Sequence, residues 1–114
     1  MEGKASYTVN ITQEAERYYY AILEYFYKYH SKESADRKSD ELLKLAITLE
    51  NIPSRGRIEE KLRFLGREHR FIIYYYTPRK AIKIIYFIDE PNKIVYVTDF
   101  FPCENDENKI SDRS

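Results

Sequence analysis

The stretch that decides the fold is His69-Arg-Phe-Ile-Ile-Tyr-Tyr-Tyr76, Thr77-Pro-Arg-Lys80, Ala81-Ile-Lys-Ile-Ile-Tyr-Phe-Ile88, Asp89-Glu-Pro-Asn92, Lys93-Ile-Val-Tyr-Val-Thr-Asp-Phe100. It holds three runs rich in β-branched and aromatic residues, which favour a pleated, half-buried backbone. Two short polar links, each carrying a proline, separate them. Links of that length join antiparallel neighbours, so residues 69–100 read as a three-stranded meander.

Upstream, Tyr7 to Ile11 alternates as a strand does. Thr12 then has the look of a helix N-cap, with Glu14 and Glu16 where carboxylates favour a helix start. Ala15, Tyr18, Tyr19, Ile22, Phe26 and Tyr29 fall on one face of a helix ending near His30. After a break at Ser31–Ser34, a second helix would bury Ala35, Leu42, Leu45, Ala46 and Leu49 and turn Asp36, Lys38, Asp40 and Lys44 to water. Asn51 and Pro53 end it, because the residue before a proline is pushed out of helical geometry. Pro53 to Gly66 reads as loop. The expectation is an α+β, two-layer domain in the order β-α-α-β-β-β, a helical hairpin packed on a mainly antiparallel sheet. It occupies residues 1–102, with 103–114 as a polar tail or partner-binding arm.

The 114 residues suit one domain with its own core. A single cysteine, Cys103, excludes an internal disulfide, and no Cys/His cluster suggests a structural metal; no cofactor motif is present. Apolar runs are too short for a membrane span and no charged-then-apolar leader opens the chain, so a cytoplasmic protein away from membranes is expected. Charge is zero overall but uneven: net −2 over residues 1–52, +6 over 53–88 and −4 over 89–114. The middle segment could face an anion, or its charges could be spread over loops and offset by the acidic end.

This order, at this length, resembles the RelE/ParE superfamily of toxins from bacterial type II toxin–antitoxin (plasmid stabilisation) systems. The likeness runs from about residue 7 to 101. Tyr7-Thr-Val-Asn-Ile-Thr-Gln-Glu-Ala15 is similar to the family's first strand entering its first helix. Leu45-Ala-Ile-Thr-Leu-Glu-Asn-Ile-Pro53 with Gly56 is similar to the close of its second helix. Ile82-Lys-Ile-Ile-Tyr86-Phe-Ile-Asp89, then Ile94-Val-Tyr-Val-Thr98, resembles its "Tyr-Arg-x-x-Tyr" strand and the next one.

The resemblance implies growth inhibition relieved by a cognate antitoxin, and two kinds of target. One branch cuts messenger RNA on the ribosome, holding the scissile phosphate with basic side chains because the transition state gathers charge on oxygen. For that branch the catalytic candidates here are Arg70, Lys83 and Tyr86. Lys83 stands where arginine is usual, keeping the charge and losing the bidentate fork. Thr98-Asp-Phe-Phe-Pro-Cys103 lacks the arginine and the tyrosine or histidine expected after the last strand, and Phe71–Tyr76 lacks the expected lysines. The ParE branch, which poisons DNA gyrase, lacks that set too. A gyrase-directed, non-nucleolytic toxin is therefore the leading expectation. A ribosome-dependent endoribonuclease acting on mRNA, or an inert member that only binds an antitoxin, is the alternative, and whether the chain is an enzyme stays open.

Two further groups stand out. Arg63, Arg67 and His69, with Arg70, form a basic cluster that could bind phosphate, His69 carrying a proton near neutral pH. Strand alternation sets His69 and Arg70 on opposite faces, so at most part of it converges. The first helix is aromatic nearly all round, and Tyr20 and Tyr27 lie off its buried stripe, as residues of a partner interface do. That interface could serve an antitoxin, with the protein in a hetero-oligomer, or a homodimer. Cys103, beside Glu104, has nothing near it in sequence that would activate a thiol.

Overall fold

A computed structural model describes residues 6–113. In chain order it contains β1 (Thr8–Ile11), α1 (Gln13–Tyr29), α2 (Lys32–Ile47), β2 (Arg57–Ile58), β3 (His69–Tyr75), β4 (Ala81–Asp89) and β5 (Ile94–Pro102). Short 3-10 helices lie at Glu60–Leu65 and Glu107–Arg113, with single 3-10 turns at Thr48–Glu50 and Pro53–Arg55. The five strands make one sheet in the order β1-β5-β4-β3-β2. β1 runs parallel to β5 and the other pairs are antiparallel. This is the expected α+β architecture, a helical hairpin on a mainly antiparallel sheet.

Local chemistry explains the helices. The Thr12 hydroxyl accepts from the Ala15 N–H at 3.2 Å, and Ser31 does the same for Ser34 at 3.2 Å. Each satisfies an N–H that a helix start leaves unpaired. The break between the helices is therefore shorter than Ser31–Ser34, because Ser31 is itself the cap. Ala15, Ile22 and Phe26 of α1 and Ala35, Leu42 and Ala46 of α2 bury against Ile82, Ile84, Tyr86, Val95, Val97 and Phe100 of the sheet.

Two side chains depart from the helical pattern. Tyr29, expected in the core, is 63% exposed, since the last turn of α1 carries it past the packed stripe and leaves it against Tyr25. Lys38, expected in water, is buried, with its Nζ 3.2 Å from His30 Nδ1 at the end of α1. Two segments read as irregular also acquire structure. Arg57 and Ile58 pair with Phe71 and Arg70 as β2, a strand too short to show alternation. Residues 107–113 turn back over the sheet and bury Ile110 completely with Leu62, Ile85 and Phe101. The polar run after Pro102 is thus packed on the domain from which composition separates it.

The sheet is covered on both sides. Residues 81–86 of β4 are all buried, the helices covering one face and the two 3-10 helices the other. At the β2 end, Tyr86 Oη accepts from the Gly56 N–H at 3.1 Å and donates to the Pro53 carbonyl, which docks the turn after α2 on the central strand. A Cβ on Gly56 would lie 2.7 Å from the Phe71 carbonyl oxygen and collide with the Tyr86 hydroxyl. Gly56→Ala is expected to lose about 1–3 kcal/mol, the usual cost of forcing bulk into a packed site. Urea unfolding measures it, and a midpoint equal to the parent's would show that the turn is not anchored this way.

Candidate functional site

Cross-strand register assigns each candidate to a face. Arg70 lies opposite Tyr86, and both share the helix-covered side with Ile72, Ile82 and Ile84. Lys83, opposite Ile73, shares the outer side with Ile85, Phe71 and His69. The three residues expected to act together on a phosphate are therefore divided between two faces.

Each is also engaged by the fold. Arg70 Nη1 donates to the carbonyls of Gly56 at 2.7 Å and Ser54 at 3.2 Å, and Nη2 pairs with Glu68 at 2.7 Å. Tyr86 is fully buried and bonded to the Pro53–Gly56 turn, and burial raises its phenol pKa above the ordinary value. Lys83, 7% exposed, forms an ion pair with Glu59, 4% exposed, at 2.8 Å. Its ammonium also sits 3.6 Å from a Glu107 oxygen and 4.1 Å from the Phe71 ring centroid.

The basic cluster disperses in the same way. Arg63 is exposed and holds Glu60 at 2.6 Å. Arg67 lies over the Phe87 ring at 4.2 Å. His69 is buried, and its Nδ1 donates to the Arg67 carbonyl at 3.0 Å, leaving Nε2 as the acceptor of a neutral ring. Burial is the main reason its pKa falls below the usual value. Tyr20 and Tyr27 are both exposed on α1, and Tyr27 donates to Asp36 of α2. Cys103 is exposed at the end of β5, and its thiol pKa is raised, mainly by partial burial, the opposite of activation.

The outer face assembles a group that strand reading alone did not. A β-bulge at Thr98 leaves it unpaired between Val97, opposite Tyr86, and Asp99, opposite Ile85. Arg113, from the folded-back end, donates through Nη2 to Asp99 Oδ1 at 2.8 Å and to the Phe100 carbonyl at 3.3 Å. Its guanidinium rests 3.8 Å from the Tyr18 ring centroid. His69, Thr98, Arg113, Thr12, Glu14 and Leu65 line a cleft of about 290 Å³ beside this pair. An arginine does therefore reach the end of the last strand, but from far along the chain, where no spacing rule would look for it. The cleft offers an imidazole, two threonine hydroxyls and one guanidinium, with Glu14 at its wall and Asp99 already on the arginine. Such a balance lacks the excess of fixed cations that stabilises a phosphate transition state.

No family model matches this chain, and neither the curated proteins nor the solved structures give a match. Among the described residues no group of three or more His, Cys, Asp or Glu is placed to hold a metal ion, and no helix is long and apolar enough to cross a membrane.

Two outcomes follow from the buried charges. Removing one partner of a buried ion pair leaves the other uncompensated, so Glu59→Ala should cost about 3–5 kcal/mol, while Glu59→Leu with Lys83→Met should recover most of it. Denaturant titration of the three proteins decides this, and a Glu59→Ala variant as stable as the parent would remove Lys83 from its structural role. Asp99, 3% exposed, has its pKa raised to about 6, chiefly by burial, with Arg113 pulling the other way. A raised carboxyl pKa means the folded state holds that proton more tightly than the unfolded chain. Its contribution therefore favours folding at low pH and is lost as pH rises from about 4 to about 6. Relative to Asp99→Asn, the parent should lose melting temperature across that window. Parallel pH profiles would contradict the assignment.

Proposed function

We propose that this chain is the toxin component of a type II toxin–antitoxin pair of the RelE/ParE kind, cytoplasmic, neutralised by a cognate antitoxin, and acting by binding its target without cutting RNA. Element order and strand motifs support the family reading. The observation that carries the non-nucleolytic reading is the engagement of the expected catalytic set. Lys83 is neutralised by Glu59, Arg70 is bonded to backbone carbonyls, and Tyr86 is sealed under the Pro53–Gly56 turn on the other face. A target bound through surface contacts, DNA gyrase being the one the ParE branch poisons, needs no such constellation.

One observation favours a second reading. The neutral His69 ring, with Nε2 free to accept a proton, shares a cleft with Arg113 and Thr98. A ribosome-dependent ribonuclease on this scaffold would use His69 as base and Arg113 as its phosphate contact.

Induced expression in a bacterial host without antitoxin separates the readings when growth, total RNA and plasmid topology are followed together. The proposal expects growth arrest with intact message and gyrase-type DNA damage, unchanged by His69→Ala. Translation-dependent message cleavage that His69→Ala abolishes would establish the ribonuclease reading instead. Continued growth with folded protein present would indicate an inert relative.

A further inference from the structure

A cavity of about 310 Å³ opens between α1 and the end of β5. Phe26, Ile82 and Phe100, all buried, line its inner side, and Tyr18, Tyr25 and Tyr76 line its walls. Protein interiors keep few voids larger than a water molecule. A concave, aromatic-lined space of this size is what a small ligand occupies. None of the roles drawn above uses it.

The lining sets the shape of the occupant. Tyr76 meets Phe26 and Tyr25 edge-on, with ring centroids 5.1 and 6.3 Å apart. Rings so arranged accept a further ring against a face or an edge. They also attract cations, as two of the chain's own side chains show. The Arg113 guanidinium lies 3.8 Å from the Tyr18 centroid, and the Lys80 ammonium lies 5.9 Å from the Tyr25 centroid.

Charge at the rim sets the occupant's chemistry. Two charged residues line the cavity, Arg113 and Glu104. Arg113 is neutralised by Asp99 at 2.8 Å. Glu104 forms no ion pair among the described residues, and its carboxylate accepts only a long hydrogen bond, 3.4 Å, from the Tyr76 hydroxyl to Oε2. Burial first, and Glu104 after it, raise the Tyr76 phenol pKa, so that hydroxyl keeps its proton and can donate. Lys80 feels the Glu104 charge without pairing with it, and donates instead to the Tyr25 hydroxyl at 3.2 Å. The Asn105 N–H closes a turn on the Pro102 carbonyl at 3.0 Å, which sets Glu104 beside the opening. The carboxylate is exposed, oriented and unpaired.

We propose that this cavity binds a small planar aromatic cation with an amidine-type edge. The ring lies among Tyr18, Tyr25 and Tyr76, and the paired N–H groups of the amidine meet the Glu104 carboxylate side by side. A delocalised planar cation suits the slot better than an ammonium, because it stacks on aromatic faces as Arg113 does on Tyr18. Lys83, Arg70 and His69 lie outside the lining. The site therefore stands apart from the effector action proposed above, and its failure would leave the growth assay unaffected.

The test is titration calorimetry of the full chain with benzamidine, benzamide and benzoate, together with NMR of the tyrosine rings. Benzamidine should bind saturably, at least tenfold more tightly than benzamide or benzoate, and shift the ring resonances of Tyr18, Tyr25 and Tyr76. Glu104→Gln changes an exposed side chain, so it should fold normally, lose at least tenfold for benzamidine and leave benzamide unchanged. Ala21 is exposed on α1 at the cavity wall, so Ala21→Leu should also fold and weaken both ligands by narrowing the space. No saturable binding of benzamidine, binding equal to that of benzoate, or full affinity in folded Glu104→Gln would overturn the proposal. So would shifts confined to Asp106 and Glu107 with the tyrosine rings unmoved, since the cation would then rest on the acidic loop and not in the cavity.

Discussion

The contact between Lys83 Nζ and Glu59 Oε1, 2.8 Å apart and closed to solvent, is the constraint around which the outer half of the molecule is arranged. Lys83 projects from the middle of β4, and a charge there is costly unless paired. Glu59 supplies the pair because it follows β2 at the sheet edge and caps the 3-10 helix that packs on the outer face. Glu107 adds a second carboxylate from the chain end, and the Phe71 ring covers the ammonium. Leu62 and Ile110 then close a small apolar cluster over Ile85 and Phe101. A face that helices would cover in a larger protein is covered here by short turns, held by one buried ion pair and a few apolar side chains.

The same economy consumes the other functional candidates. Arg70 and Tyr86 stand side by side on the inner face, where both bond to the turn following α2. Arg113 bridges α1 and the outer face by resting on Tyr18 while holding Asp99. Each basic group that could serve a phosphate instead satisfies a carbonyl, a carboxylate or a ring. What remains is different in kind: His69 at the wall of a cleft, the exposed Tyr20 of α1, and a strand edge flanked by arginines. None of them gathers fixed positive charge at a single centre.

Much of this was legible in the sequence, for identifiable reasons. Strands β3 to β5 stand out because β-branched and aromatic residues concentrate between polar, proline-marked links, and Thr12 is a capping residue type; Ser31, read as part of a break, is a cap as well. Tyr29 and Lys38 could not be placed, because helical periodicity says nothing of where a neighbouring element ends. β2 is too short to have a period, and Ile110 is a lone apolar residue in a polar run. For the site, alternation already puts Lys83 and Tyr86 on opposite faces. The covering of each face and the partner waiting there are tertiary facts: Glu59 lies 24 residues from Lys83, and Arg113 lies 14 from Asp99.

The central claim is that Lys83 serves the fold and not a reaction, and the effect of the apolar replacement on the growth arrest proposed for this chain tests it most directly. The chain carrying Lys83→Met with Glu59→Leu would be induced without antitoxin beside the parent, its folding verified by circular dichroism and thermal melting. The account predicts that the folded double variant arrests growth as the parent does. A folded double variant that has lost the arrest would contradict it and return Lys83 to the reacting centre.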